Sequence, residues 1–387
     1  MADREVNLNQ YAFDGATAPA VADLRTLDED DRQRLLMAGV DVSEKGRSGS
    51  FLHMDHSNVH CQSMHEGVEI LDINAALEKY DGLPGHFWSL LDPDKDDYTR
   101  AANEKLHGGY FVRTEPGAVI PDPVQSCLLI KGEKVGQNVH NVVIVEENSE
   151  LHIITGCAVS RETQAGAHLG ISEFFVKKGG KLTFTMIHNW GENVEVRPRT
   201  VGVVEEGGVF QSNYVLLKPV KDLQSYPTIF LNGRGARARF NSIIVAPKGS
   251  YVNSGSRIIL NAPETAGEII SRTITTGGTI IAPGHIAGHT VPARGHLECK
   301  GLILGGGTIH AIPELEGTVE GVELSHEAAV GKIAQEEIEY LMARGLDEDE
   351  ATSTIVRGFL NVDIMGLPAE LKQVIDEIIE DTEKDMF

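Results

Sequence analysis

A chain of 387 residues with 41% apolar content is long enough to bury at least one large core. Its formal charge of −23 argues against a general nucleic-acid binder, because phosphate backbones attract basic surfaces. No apolar run approaches the roughly 18–20 residues of a membrane span, and the opening MADREVNLNQYAFDG has neither a secretory nor a transit pattern, so a soluble, cytoplasmic protein is expected.

The first third reads as mixed. EILDINAALEKYDG predicts a short strand or turn and then a helix. DPDKDDYTRAANEKLHGG predicts a Pro/Asp turn, a helix and an exit through Gly108–Gly109. FLHMDHSNVHCQSMH packs His53, His56, His60, Cys61 and His65 into 13 residues, a density that invites zinc or nickel. Its HxxxH lacks the Glu of the zincin pattern, so a His-rich edge strand or surface is the preferred reading.

From about Ser126 the texture changes to short Val/Ile/Thr runs separated by glycine, among them SCLLIKG, LHIITGCAV and RARFNSIIVA. The glycines have a rhythm: Gly180, Gly208 and Gly235 are 28 and 27 residues apart, and Gly249, Gly278 and Gly307 are each 29 apart. That period predicts a mostly β solenoid, a right-handed parallel β-helix with glycine at its corners. An antiparallel sandwich would need hairpin turns about every 8–12 residues, and beyond LNGRG few occur. Arg234, Arg237 and Arg239 form a small basic patch here, expected to pair with acidic surface.

Residues 314–387 hold 20 acids against 5 bases and carry helical stripes. One is Ile338, Leu341 and Met342, closed by Gly345; another is Ala351, Ile355 and Phe359, with Asp347 and Glu350 spaced for a capping box. A last helix opens at Pro368. Three segments are therefore expected: a mixed region over 1–125, the β-helix over 126–322 and a helical domain over 323–387.

The cysteines Cys61, Cys127, Cys157 and Cys299 lie 66, 30 and 142 residues apart, so no CxxC metal motif is encoded and free thiols are expected. In GHLECKGLILGGG, Glu298 and Lys300 flank Cys299, which in a strand takes the opposite face from both. Twenty-seven residues on, VELSHEAAVG sets His326 beside Glu327. Adjacent strand residues point to opposite sides, so both can serve one metal only if the chain turns there, with Ser325 capping the helical tail. The rival class, a polysaccharide-active β-helix, wants clustered carboxylates. Between Gly233 and Pro313 there are only Glu264, Glu268 and Glu298.

ELHIITGCAVSRETQAG, with HNW downstream, and ARGHLECKGLILGGG running on to SHEAAVG resemble the SufB/SufD family, the scaffolds of the SUF iron–sulfur assembly system. The resemblance implies a parallel β-helix followed by a helical domain that docks an ABC-type ATPase, SufC. It implies a scaffold, not an enzyme, holding a transient iron–sulfur cluster, its type not specified, at a subunit interface. Sulfur would come from a cysteine desulfurase system, and apo-proteins would accept the product. By position, Cys299 corresponds to the family's cluster-holding cysteine, Cys157 to its sulfur-receiving cysteine, and His326 and Glu327 to the HE of an EHEA segment. Ser325 replaces the first acid there, and SHEA also resembles the SHGA of SufD. A homodimer and a SufB/SufD-like pair both fit; the alternative is a SufD-like structural partner without its own cluster. The chain has no GxxxxGK[ST] loop, so nucleotide hydrolysis belongs to a separate subunit.

Overall fold

The structure is a computed structural model that describes residues 4–81, 83 and 85–360; the helix expected from Pro368 lies outside them. It is mostly β, 48% strand and 14% helix, wound as a solenoid of about eight turns. One flank is a ten-stranded sheet. Its order is β2 (Ser57–Ser63), β1 (Gly49–Met54), β5 (Val124–Ile130), β7 (Glu150–Val159), β9 (Lys181–Asn189), β12 (Val209–Leu216), β15 (Arg237–Ala246), β18 (Thr265–Thr275), β20 (Ala293–Ile303) and β22 (Glu323–Gly331).

The opposite flank begins with β3 (Val68–Asp72), β4 (Tyr110–Thr114), β6 (Val135–Val145) and β8 (Gly166–Val176). It then splits into the short pairs β10 (Val194–Val196) and β11 (Arg199–Val204), β13 (Asp222–Ser225) and β14 (Thr228–Leu231), and β16 (Tyr251–Ser254) and β17 (Ser256–Leu260). It rejoins at β19 (Thr279–Gly288), which carries β21 (Thr308–Gly317) on its far side. The breaks stack: Pro198, Pro227 and Gly255 interrupt successive turns. Proline cannot donate to the ladder, and a Cβ on Gly255 would lie 1.7 Å from the Pro283 carbonyl oxygen.

Along the flank from β9 to β22 the ladders are parallel and unshifted, so equivalent residues of consecutive turns form inward and outward rows. Inward rows make one continuous core from Phe51 to Cys299. Within it Phe174, Phe184, Phe210 and Phe240 pack ring against ring at centroid distances of 4.8–5.8 Å. The expected glycine period is present with one adjustment. Gly235 and Gly249 take the left-handed backbone themselves, whereas at Gly179, Gly207 and Gly277 it falls one residue early, and their successors allow close approach: a Cβ on Gly278 would meet the Pro247 carbonyl oxygen at 2.6 Å.

In the first third, α1 (Glu29–Met37), α2 (Ile73–Lys79) and α3 (Asp97–Glu104) lie against the early turns. The expected strand–helix pair is β3–α2, and α3 starts on an Asp96/Thr99 capping box. β2 is the hairpin edge of its sheet, as the His-rich stretch suggested, but His53 and His60 are buried. After the solenoid come α4 (Gln335–Met342) and α5 (Glu348–Leu360). The Asp347/Glu350 capping box is formed in both directions. α5 sets Val356 and Leu360 on Ile187, Val215, Ile243, Ile274 and Leu304, which covers the outer face of the ten-stranded sheet near the C-terminal ends of its strands. No described helix is long and apolar enough to cross a membrane.

Candidate functional site

The segment expected to turn into a helix at Ser325 does not turn. Residues 323–331 form β22, paired in parallel with β20 from Arg294↔Glu323 to Leu302↔Gly331. Local helix preference in the Glu-Ala-Ala stretch is overridden by the ladder that β20 offers. Adjacency therefore separates the two candidates. His326 is in register with Leu297, a core residue, and so sits in the inward row; Glu327 is in register with Glu298 and faces out.

Cys299 occupies the inward row too, 3% exposed, between Ser271 of the preceding turn and Ala328 of the last. Only a methyl group thus follows it toward the open end of the solenoid. His326 is two residues from Ala328 on the same side, a diagonal neighbour of the thiol at roughly 8 Å, from one strand spacing and two residue rises. Burial, with the Glu298 carboxylate nearby, pushes the Cys299 thiol up to about 11, so at neutral pH it carries its proton.

On the outer side a chain of charges fixes Glu327. Its carboxylate accepts from Lys300 Nζ at 3.2 Å, and the same ammonium contacts Glu298 Oε1 at 3.2 Å. Glu298 in turn is paired with Arg272, whose guanidinium lies over the Phe359 ring of α5 at 5.9 Å. Burial tends to raise the Glu298 carboxyl, but Arg272 and Lys300 outweigh it and hold it below the usual range. The hydroxyl of Ser325, where an acid was expected from the resemblance, is hydrogen-bonded to His296 Nδ1 at 2.9 Å.

Cys157 lies five strands from Cys299 in the same sheet, fully buried and facing inward. Burial raises its thiol well above the ordinary value. Its register neighbour is His188, whose Nδ1 is 2.9 Å from the Tyr214 hydroxyl. Tyr214, Ser242, Ser271 and Cys299 then form one inward row, each in register with the next. They border an internal cavity of about 60 Å³. Neither this polar row nor the Lys300–Glu298–Arg272 chain was foreseen from sequence, although the 28- and 29-residue offsets joining Tyr214, Ser242, Ser271 and Cys299 repeat the glycine period.

Among the described residues no three metal-ligating side chains converge in a single chain. The His-rich stretch makes no such cluster either: His53 Nε2 contacts the Asp55 carbonyl, His56 Nε2 those of Ala12 and Gly136, and His60 Nδ1 that of Val21. The candidates Cys299, His326 and Glu327 all lie in the last two turns of the ten-stranded sheet, Cys299 buried and the other two exposed.

A family model described as SUF system FeS cluster assembly, SufBD core domain, matches residues 128–359. The chain belongs to the SufBD family. All four singled-out residues, Cys157, Cys299, His326 and Glu327, fall inside the match, and so do α4 and all of α5 but its last residue. An iron–sulfur cluster assembly SufBD family protein of Archaeoglobus fulgidus is 53% identical over 358 residues, 92% of this chain and 96% of the relative. One from Methanothermobacter thermautotrophicus is 45% identical, covering 88% of this chain and 84% of its own. The iron–sulfur cluster assembly protein SufB of Bacillus subtilis is 31% identical over 81% of this chain and 69% of its length. Iron–sulfur cluster assembly is thus the process in which this SufBD protein belongs.

Proposed function

We propose that two copies join at the last turns of the solenoid and build a nascent iron–sulfur cluster between them. The observation that carries this reading is the open end. β21 and β22, ten and nine residues long, have no partner strand on their outer sides among the described residues. Long bare edges invite pairing. Two β22 strands running antiparallel about a twofold satisfy each other and bring both sets of Cys299, His326 and Glu327 to the junction.

The donor set suits a scaffold. Mature electron-transfer clusters are held mainly by four thiolates. One thiol per copy, helped by imidazole or carboxylate, binds the iron of the cargo less firmly and lets it leave. Cys157 takes the outer sulfur of a desulfurase-type donor's persulfide, whose thiol leaves; Cys299 lies roughly 24 Å away over five strand spacings, with Tyr214, Ser242 and Ser271 lining the interior between them. A SufC-like ATPase engages the helical segment. Movement of α5 then reaches Glu327 through Phe359, Arg272, Glu298 and Lys300, linking nucleotide state to the grip on the cargo.

Anaerobic purification with the ATPase, followed by iron and sulfide analysis, tests the whole. A cluster is expected at the wild-type junction and none in Cys299→Ala with its fold preserved. Unchanged iron in that variant would remove Cys299 from the ligand set, and a wild type that never takes up iron would favour the SufD-like structural role. Cys157→Ser should impair enzymatic sulfur delivery more than chemical reconstitution.

A further inference from the structure

The basic patch was expected to pair with acidic surface, and two of its members do: Arg234 with Glu264, and Arg239 with Glu268 at 3.2 Å. Arg237 is exposed and has no partner among the described residues. Neither has Arg294, two strands further along the same outward row of Arg237, Ala266, Arg294 and Glu323. With His296 they border an open groove of about 950 Å³ whose floor includes Ala266, Gly267 and Gly295, and whose lining also carries Glu323 and the Arg239-paired Glu268. It lies on the outer face of the ten-stranded sheet at the N-terminal ends of the strands, the half that α5 leaves uncovered. Bare arginines facing small residues are unexpected in a chain of charge −23.

We propose that this groove receives the acidic first turn of α4 from the second copy. The inference rests on the paired-edge dimer proposed above and adds a second contact to it. Strands that run antiparallel across a twofold set the C-terminal end of one β22 beside the N-terminal end of the other. In each copy α4 begins four residues after β22 ends. α5 and the groove lie on the same outer face and α4 packs on α5, so the partner's α4 starts on the side of Arg294. Glu336, Glu337 and Glu339 on that helix are exposed and unpartnered among the described residues, and Tyr340 and Met342 are 57% and 40% exposed. The fit is two-sided: carboxylates meet the guanidiniums, and the apolar side chains meet the small-residue floor.

Charge reversal tests it by sedimentation equilibrium at low and physiological salt. The double variant Arg237→Glu/Arg294→Glu and, separately, Glu336→Lys/Glu337→Lys should each raise the dimer Kd at least tenfold. Because each repelling pair sits between copies, mixing the two variants should restore near wild-type affinity as a heterodimer, visible by native mass. All the changed residues are exposed, and unchanged circular dichroism and melting of the monomers would confirm folding. A Kd within twofold of wild type, or weakening that mixing fails to rescue, overturns the groove contact while leaving the dimer in place. A wild type that is monomeric at high concentration overturns both.

Discussion

The two ends of the solenoid use one repeat in opposite ways. At the first turns β5 is buried along its whole length, because β1, β2 and α1 close over it and Leu24, Leu35, Ala38 and Cys127 form their own small core there. At the last turns β22 repeats the same geometry with no strand beyond it among the described residues. The inward position filled by Leu128 in β5, 1% exposed, is filled by Val330 in β22, 42% exposed. Position in a row therefore determines direction, and only the next turn determines burial. An irregular N-terminal region caps one end, and among the described residues the regular repeat leaves the other uncapped.

The sharpest way to strain that contrast is to remove one inward side chain from each part. Phe210→Ala, inside the aromatic stack, should cost about 3–5 kcal/mol, whereas Val330→Ala should stay within about 0.5 kcal/mol. Urea unfolding of both variants measures the difference, and comparable losses would contradict the account of the open end. Next comes Ala328→Lys, which sets an inward-pointing charge on the bare edge. The dimer should dissociate while the monomer melts within a few degrees of wild type; a dimer of normal strength would mean that β22 is not the contact.

Acid should attack the capped end first. His53 and His168 are buried and held neutral, each pushed down to about 3 by loss of solvation. Unfolded, they take up protons below the ordinary 6.5, so the stability they contribute is complete above pH 6.5 and is lost as pH falls toward 3. Circular dichroism melting across that window should show the decline, and His53→Gln should flatten it. The smallest effect concerns Cys299. Its thiol titrates at about 11, so alkylation by iodoacetamide at pH 7 should be slow and should accelerate by nearly tenfold per pH unit on the way there. Rapid labelling at neutral pH would show that the last strand opens.

The solenoid was legible because its corners recur: a backbone that needs glycine once per turn writes its period into the chain. Rows were legible in principle from the same offset, which joins Tyr214, Ser242, Ser271 and Cys299. The course of 323–331 was not, because Glu327, Ala328 and Ala329 suit a helix and only the unpaired flank of β20 makes them a strand. The clasp on Glu327 was likewise hidden: Arg272, Glu298 and Lys300 are ordinary surface charges until register stacks them. The N-terminal cap has no repeat, so its buried histidines read as surface.

The cavity beside Tyr214, Ser271 and Cys299 carries a consequence for what can travel inside the coil. About 60 Å³ admits on the order of a few water molecules. No thiol-bearing peptide or organic carrier fits such a space. Under the cluster-building role proposed above, whatever reaches Cys299 from this side is of atomic size, which screens it from solvent and from every reagent larger than itself.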